Sequence, residues 1–526
     1  MELKNTIIKL RYGANMSQEE FAQLFKVSRQ SVQKWESGAS APELSKLIEM
    51  SRFFGISLDA LCLNRDLRDV EELEYDKDIK PQYSSIHYWE FYATRLNVEY
   101  IQCKDEGLDI EQYKDIFNSV ASLPQNETKK KLGDVLFEVV KNAKRREDYK
   151  YIEPSELEGI RKRTKKVTSL SLKATKGCES KIHGAWLGRI CGCMLGKTVE
   201  GIKSFDFIPF LKETNNYPLS RYICESDISE DTHKKYSYDF SIRKYADKID
   251  GMPVDDDTNY TVLAQLIIDN HGRDFTPYDV SRNWLYYQSK NSYCTAERVA
   301  YCNFVNGFMP PQSASYQNPY REYIGAQIRA DYFGYINPGN PSLAAEMAFR
   351  DASISHTKNG IYGEMLIAAM LSAAAVTDNF EEIILCGLSE IPHTSRLFEA
   401  VMSVLEDYRN GCTLKSVLDK VHSQYNETTG YGWCHVIPNA MIVVAALLYG
   451  NGDYSRSVCI AVEACFDTDC NGATVGSIVG MAKGVDCIDD CWKKPINNTL
   501  HTSIRNIEKV KITDLVKKTM EHIEAT

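Results

Sequence analysis

The chain has 526 residues, 43% hydrophobic and 25% charged, which is ordinary globular usage and too long for one compact domain, so two to four are expected. Its 62 Lys and Arg against 72 Asp and Glu leave a net charge of −10, which excludes coating nucleic acid with the whole surface and confines any such binding to a small module. The longest apolar stretches, 365–376 and 440–448, fall short of the roughly 20 residues that a bilayer core needs. The N-terminus lacks a secretory layout, so no membrane partner and a cytoplasmic location are expected. Sixteen cysteines scattered from Cys62 to Cys491 do not resemble a disulfide scaffold. Cys191-x-Cys193 and Cys487-x3-Cys491 each lack the second Cys/His pair of a zinc site, and read as buried free thiols.

Over residues 1–65 the apolar positions recur at helical spacing. Ser17 and Glu20 form a capping box, with Met16 and Phe21 at the staple positions on either side. Ser28 suits the N-cap of a second short helix running to about Glu36, and Gly38 and Pro42 interrupt before a helix over 43–54. A helix, a three-residue turn and a short helix are the geometry that lays one helix in the major groove. Arg29, Gln30 and Gln33 have the side chains that read guanine and adenine edges, and Lys34 and the start of the Gln18 helix suit phosphates.

These residues, from Ser17-Gln18-Glu19-Glu20 through Ser28-Arg29-Gln30-Ser31-Val32-Gln33-Lys34-Trp35 to Gly55-Ile56-Ser57-Leu58, resemble the lambda-repressor-like (XRE) helix-turn-helix over about residues 3–62. The resemblance implies a five-helix domain and sequence-specific DNA binding, usually as a dimer on a two-fold site, which makes a homodimer the form to look for.

The charged stretch 66–83, ending near Pro81, reads as a linker. Residues 84–175 read as a helical connecting region, with helical stretches over 88–100 and 131–140. Its basic clusters, at 129–131, 144–146 and 161–166, read as solvated helix faces.

Beyond it, Gly184, Gly188, Gly192 and Gly196 recur every fourth residue, as do Gly472, Gly476, Gly480 and Gly484. Each glycine inside a helix costs about 0.5–1 kcal/mol relative to Ala, which close helix–helix approach would offset. Arg189 and Lys197 exclude the membrane version of that motif, leaving a tightly packed all-α core. Asp255-Asp256-Asp257 precedes an apolar helix, and Asp467-Thr468-Asp469 precedes the second stripe. Consecutive acids entering buried helices repel unless a cation compensates, and such oxygen-rich sets suit Mg²⁺ or Mn²⁺. The two sets could clamp a pair of metals around a bridging water.

This constellation resembles the ADP-ribosylglycohydrolase family over about residues 178–526, and the lead-in Ile152-Glu153-Pro154-Ser155 resembles longer members. The resemblance implies an orthogonal all-α domain over 176–526 around two Mg²⁺ ions, with Mn²⁺ as the alternative. That domain would hydrolyse the glycosidic bond at C1″ of an ADP-ribosylated substrate. Asp255, Asp256, Asp257, Asp467 and Asp469 would bind metal, and Glu200, with Asp256 and Asp257, would serve catalysis. Gly325, Gln327, Arg329, Asp331 and His356 fall where the family places its substrate pocket.

Two positions depart from the family. Cys193 stands where many members carry Asp, and that acid cannot act here. Cys470 stands where many carry Thr or Ser, and is a poor metal ligand for a hard ion. Water and the aspartates are expected to complete the shell without it. The leading expectation is a metal-dependent hydrolase fused to a DNA-binding module. The alternative is a transcription regulator whose second domain senses ADP-ribose or NAD-type nucleotides without turnover.

Overall fold

The computed structural model describes residues 2–63 and 80–525, with the side chain of Glu2 excepted. Most of the stretch read as a linker lies outside them. The chain divides into two compact units, Met1–Tyr83 and Ser84–Thr526, and among the described residues both are all-α apart from one short hairpin, Thr499–His501 against Lys509–Lys511.

The described residues of the first unit form five α-helices: α1 (Glu2–Gly13), α2 (Gln18–Leu24), α3 (Arg29–Ser37), α4 (Leu44–Phe54) and α5 (Leu58–Leu63). The capping box at Ser17 and Glu20 forms, with both reciprocal bonds present. Ser28 caps α3 through Ser31 N–H, and Gly38 ends it in the left-handed conformation that favours glycine. Ile7, Phe21, Phe25, Val32, Trp35, Met50 and Leu61 make the core. A buried ion pair, Arg11–Glu36 at 2.6 Å, ties α1 to the end of α3.

In the second unit the apolar helices Asn359–Ala374 and Val436–Gly450 run through the core, and every residue of the former is buried. The two glycine stripes meet each other. Helix Glu179–Lys197 runs antiparallel to helix Thr468–Lys483, and a Cβ built on Gly184, Gly188 or Gly192 would lie 2.3, 2.3 or 2.0 Å from the carbonyl oxygens of Gly480, Gly476 and Gly472. One on Gly196 would strike the backbone of Thr468. Gly484 is not part of the helical row: it caps the helix at φ 85°.

Residues 84–175 belong to the same unit rather than forming a separate connector. Arg321 pairs with Glu99 at 2.9 Å and Glu106 at 2.7 Å, and Gln102 donates to Glu322. Glu153, from the lead-in, is buried against Arg396 and Asn359. The expected helix over 88–100 is a 3-10 turn, Tyr92–Arg95, followed by helix Leu96–Asp105. Glu90, gripped by Lys290 and Arg298, anchors the chain just before it. Lys129 departs from the solvated-face reading. Its ammonium is buried and donates to the carbonyls of Ala121 and Leu123 at 2.7 and 2.8 Å. Among the described residues no helix is long and apolar enough to cross a membrane.

Candidate metal centre and nucleic-acid interface

The glycine contacts decide where the acids go. Gly196 rests on Thr468, whose hydroxyl donates to the Gly196 carbonyl at 2.9 Å, so the end of one stripe helix is held against the start of the other. Asp467 immediately precedes that start. Cys465 and Phe466, just before it, both adopt positive φ (62° and 58°), which non-glycine residues seldom do except where surrounding structure imposes it. The Phe466 carbonyl accepts the Trp433 indole N–H, and Asp467 N–H donates to Asn439 at 3.2 Å.

Asp255 is the N-cap of helix Asp256–His271 and accepts from Asp257 N–H at 2.9 Å. Two sets of ligand atoms result, each within 4.8 Å of one another: Cys193, Asp255 and Asp257, and then Asp257, Asp469 and Cys470. Asp257 belongs to both. Asp256 and Asp467 stand outside these triads, but electrostatically adjoin them, each feeling the charge of Asp255. The sulfur of Cys470, expected to stand aside, lies within 4.8 Å of carboxylate oxygens of Asp257 and Asp469. Cys193, read as a structural thiol, also joins the cluster.

Two cations sit among these acids. Lys197 Nζ lies 2.6 Å from Asp255. Arg189, fully buried, spans Asp257 at 3.3 Å and Asp331 at 2.9 Å and donates to the Asp257 carbonyl at 2.8 Å. They do not balance the cluster. Burial, then Asp255 and Glu200, push Asp256 up to about 8. Burial, then Asp467 and Asp255, push Glu200 up to about 7. Asp257 and Asp469 are also raised, chiefly by burial. Asp257 Oδ2 and Asp469 Oδ1 are buried and accept no hydrogen bond. Unpartnered buried carboxylate oxygens are costly, and a divalent cation is the group that satisfies several at once. The donor set therefore fits metal. Glu200 stands at the rim, its side chain 35% exposed and 3.8 Å from Arg243.

The expected substrate residues gather instead around Glu297, which the sequence reading did not single out. A Cβ on Gly325 would collide with Glu297, Arg329 lies 2.9 Å from it, and His356 Nε2 lies 3.9 Å away. Arg329 is fully buried, with Asp351 and Glu364 as further partners and the Trp284 ring 5.1 Å off. Its charged end is paired inside the protein with Glu297, Asp351 and Glu364. Asp331 likewise faces inward, to Arg189 and the Tyr335 hydroxyl at 3.2 Å. Gln327 is buried, and neither end of its amide has a hydrogen-bond partner. Burial holds His356 well below the usual histidine range, so it is neutral, with Nδ1 2.8 Å from Ser355 Oγ. Burial, opposed by Arg329, pushes Glu297 up to about 7.

In the first unit, Arg29, Gln30, Gln33 and Lys34 are all exposed on α3, while Val32 and Trp35 face the core. Positions i, i+1, i+4 and i+5 share one helix face, so the four form one polar surface. Gln18, expected near phosphates, spends its amide on Glu36 at 2.7 Å.

Comparison with known proteins bears on both units. Residues 174–524 match the family model described as ADP-ribosylglycohydrolase, and residues 7–61 match that described as helix-turn-helix. The HTH-type transcriptional activator BcrR of Enterococcus faecalis is 34% identical over 87 residues, covering 16% of this chain and 43% of that protein. The chain thus spans about two fifths of the length of that curated relative. A solved structure described as an ADP-ribosylglycohydrolase-related protein complex aligns at 18% identity with a TM-score of 0.39, over 66% of this chain and 98% of its own.

Proposed function

Because the chain belongs to the ADP-ribosylglycohydrolase family, we propose that it is a divalent-metal-dependent hydrolase of the glycosidic bond at ADP-ribose C1″, joined to a sequence-specific DNA-binding module. The observation that carries the reading is the convergence on Asp257 of two ligand triads, with Asp257 Oδ2 and Asp469 Oδ1 left without partners. Asp255, Asp257 and Asp469 would hold the ions, with Asp256 and Asp467 beside them. Bound there, the metals supply charge for a developing negative centre and acidify water at neutral pH. Mg²⁺, with Mn²⁺ as alternative, is the ion that family membership suggests.

The chain's own residues do the rest. Arg189 fixes Asp257 from behind through both its carboxylate and its carbonyl, so the ligand cannot swing away when the metal leaves. Lys197 orients Asp255 in the same way. Glu200, at the rim, would pass a proton to or from the scissile linkage. Glu297, Arg329 and His356 form a buried polar cluster of their own. In the first unit Arg29, Gln30 and Gln33 would read bases and Lys34 a phosphate.

The test is release of ADP-ribose from a mono-ADP-ribosylated protein, with and without added divalent metal, by the wild type and by Asp256→Asn and Asp469→Asn. Metal-dependent release that both substitutions abolish is expected. Binding of ADP-ribose with no release from any acceptor would instead favour the sensor alternative. A wild type whose melting temperature does not respond to Mg²⁺, Mn²⁺ or Zn²⁺ would overturn the metal centre itself.

A further inference from the structure

The two positions at which this chain departs from the family pattern fall one in each ligand triad. Cys193 sits with Asp255 and Asp257, and Cys470 with Asp257 and Asp469, so Asp257 has a thiol on either side. Both thiols are buried, at 0% and 7% exposure. Carboxylates surround both: Cys193 feels the charge of Asp255, Asp257 and Asp469, and Cys470 that of Asp257, Asp467 and Asp469. Their spacing is fixed by backbone contact. Cys193 follows Gly192 and Cys470 precedes Gly472 by two residues, and Gly192 lies on the carbonyl of Gly472. That contact sets where the two cysteine backbones stand, and one χ1 rotation per residue then directs each sulfur.

Mg²⁺ demands near-ideal octahedral oxygen coordination, and a sulfur within reach offers it nothing. Zinc, cobalt(II) and iron(II) take mixed sulfur and oxygen sets, and zinc binds such sets more tightly than manganese does. Oxygen donors remain available in both triads, with Asp257 Oδ2 and Asp469 Oδ1 unpartnered. We infer that Cys193 and Cys470 are metal ligands, one to each ion, and that the centre takes a borderline divalent transition metal, zinc in the first instance, in preference to magnesium. Each sulfur–metal bond forms as the thiol proton passes to solvent, with no change of oxidation state. The inference rests on the metal-centre reading above, and concerns which ion that centre selects.

Cobalt(II) serves as the probe, because a cobalt–thiolate bond gives a charge-transfer absorption that cobalt–oxygen bonds lack. Full-length protein stripped with a chelator is titrated with Co²⁺, and the same is done for Cys193→Ser, Cys470→Ser and the double variant. The wild type should show the charge-transfer band, each single variant about half its intensity, and the double variant none. Zn²⁺ should displace the cobalt, whereas Mg²⁺ in large excess should not. Cys386→Ser, whose thiol bonds Thr168 away from the acids, is the control and should keep the full band. As a variant that restores the family's hydroxyl, Cys470→Thr should shift the preference toward Mg²⁺ by about tenfold or more, which equilibrium dialysis reads even if the serine variants fold poorly. Cobalt bound without the charge-transfer band, or Mg²⁺ displacing zinc at equal concentration, would overturn the inference and leave the metal centre standing. No cobalt bound at all would overturn the metal centre with it.

Discussion

Replacing Gly192 by Ala tests the backbone contact on which the centre depends. The added Cβ would lie 2.0 Å from the Gly472 carbonyl oxygen and 2.6 Å from its carbon, where ordinary contact begins at 3.4 Å. The obstacle is main chain, so no side chain can rotate out of the way, and the helices must part by more than 1 Å. Intrinsic propensity pulls the other way, since Ala gains about 0.5–1 kcal/mol over Gly inside a helix. Overpacking a tight contact costs about 1–3 kcal/mol, and an unyielding backbone partner belongs at the upper end. The net is a loss of about 2 kcal/mol, a fall of roughly 2–4 °C in a unit this large. Calorimetry of the full chain reads it directly. Gly13→Ala is the internal contrast: that glycine is also helical, but nothing lies within 4 Å of its added Cβ, so the propensity gain should show unopposed. A Gly192→Ala protein as stable as wild type, or more so, would refute the argument.

Arg329→Met should destabilise the second unit by about 3–5 kcal/mol, because Glu297, Asp351 and Glu364 would be left buried without their cation; a loss below 1 kcal/mol by chemical denaturation would show the cluster relaxing. In the first unit, Gln30→Ala or Gln33→Ala should cost about 1–3 kcal/mol on a cognate site selected in vitro and relax its sequence preference, whereas Lys34→Ala should weaken all sequences alike and lower the salt dependence. Glu106 gives a pH prediction. Although burial pushes it up, Arg321 and Lys358 hold its carboxyl at about 2 against an ordinary 4.5. A depressed carboxylate contributes stability that is full above pH 4.5 and lost as pH falls toward 2, here about 3 kcal/mol. Glu106→Gln should therefore lower stability at pH 7 and flatten its decline between pH 4.5 and 2, which denaturant titrations at stepped pH will show.

What the sequence disclosed is what depends on local pattern. The capping box at Ser17 and Glu20, the N-cap at Ser28 and the two glycine rows are each set by spacing along one helix, and the packing of one row on the other follows from the energetic penalty of so many glycines. The acids at 255–257 and 467–469 declare themselves by crowding. The partners of those acids do not. Arg189 and Lys197 stood in plain view inside the first stripe, but only as charges too many for a membrane, because nothing local says that Arg189 points at Asp257 or Lys197 at Asp255. Glu297 was invisible for the same reason: one acid in an ordinary helix, Thr295–Val305, gains its meaning from Arg329 and Gly325. Arg329 was legible only as a residue of the expected substrate pocket, and its buried partners Glu297, Asp351 and Glu364 come from three other segments. Residues 84–175 looked like a connector because their fit to the domain runs through single long-range pairs such as Arg321–Glu106 and Arg396–Glu153.

The meeting of the two stripes also governs when the centre can exist. Gly192 and Gly472 are 280 positions apart and Asp257 and Asp469 are 212 apart, so the triad of Asp257, Asp469 and Cys470 is a non-local structure, closed only after the intervening helices have come to rest. Loop-closure entropy rises slowly with length, about 0.6 kcal/mol for each doubling, so surface insertions between the stripes should be well tolerated thermodynamically. Rate is another matter, since pairings this distant are among the slow steps of folding. Affinity for metal should thus appear late in refolding, after most helical signal has returned, and the ion should act as a latch that closes on a finished molecule rather than a nucleus around which it forms.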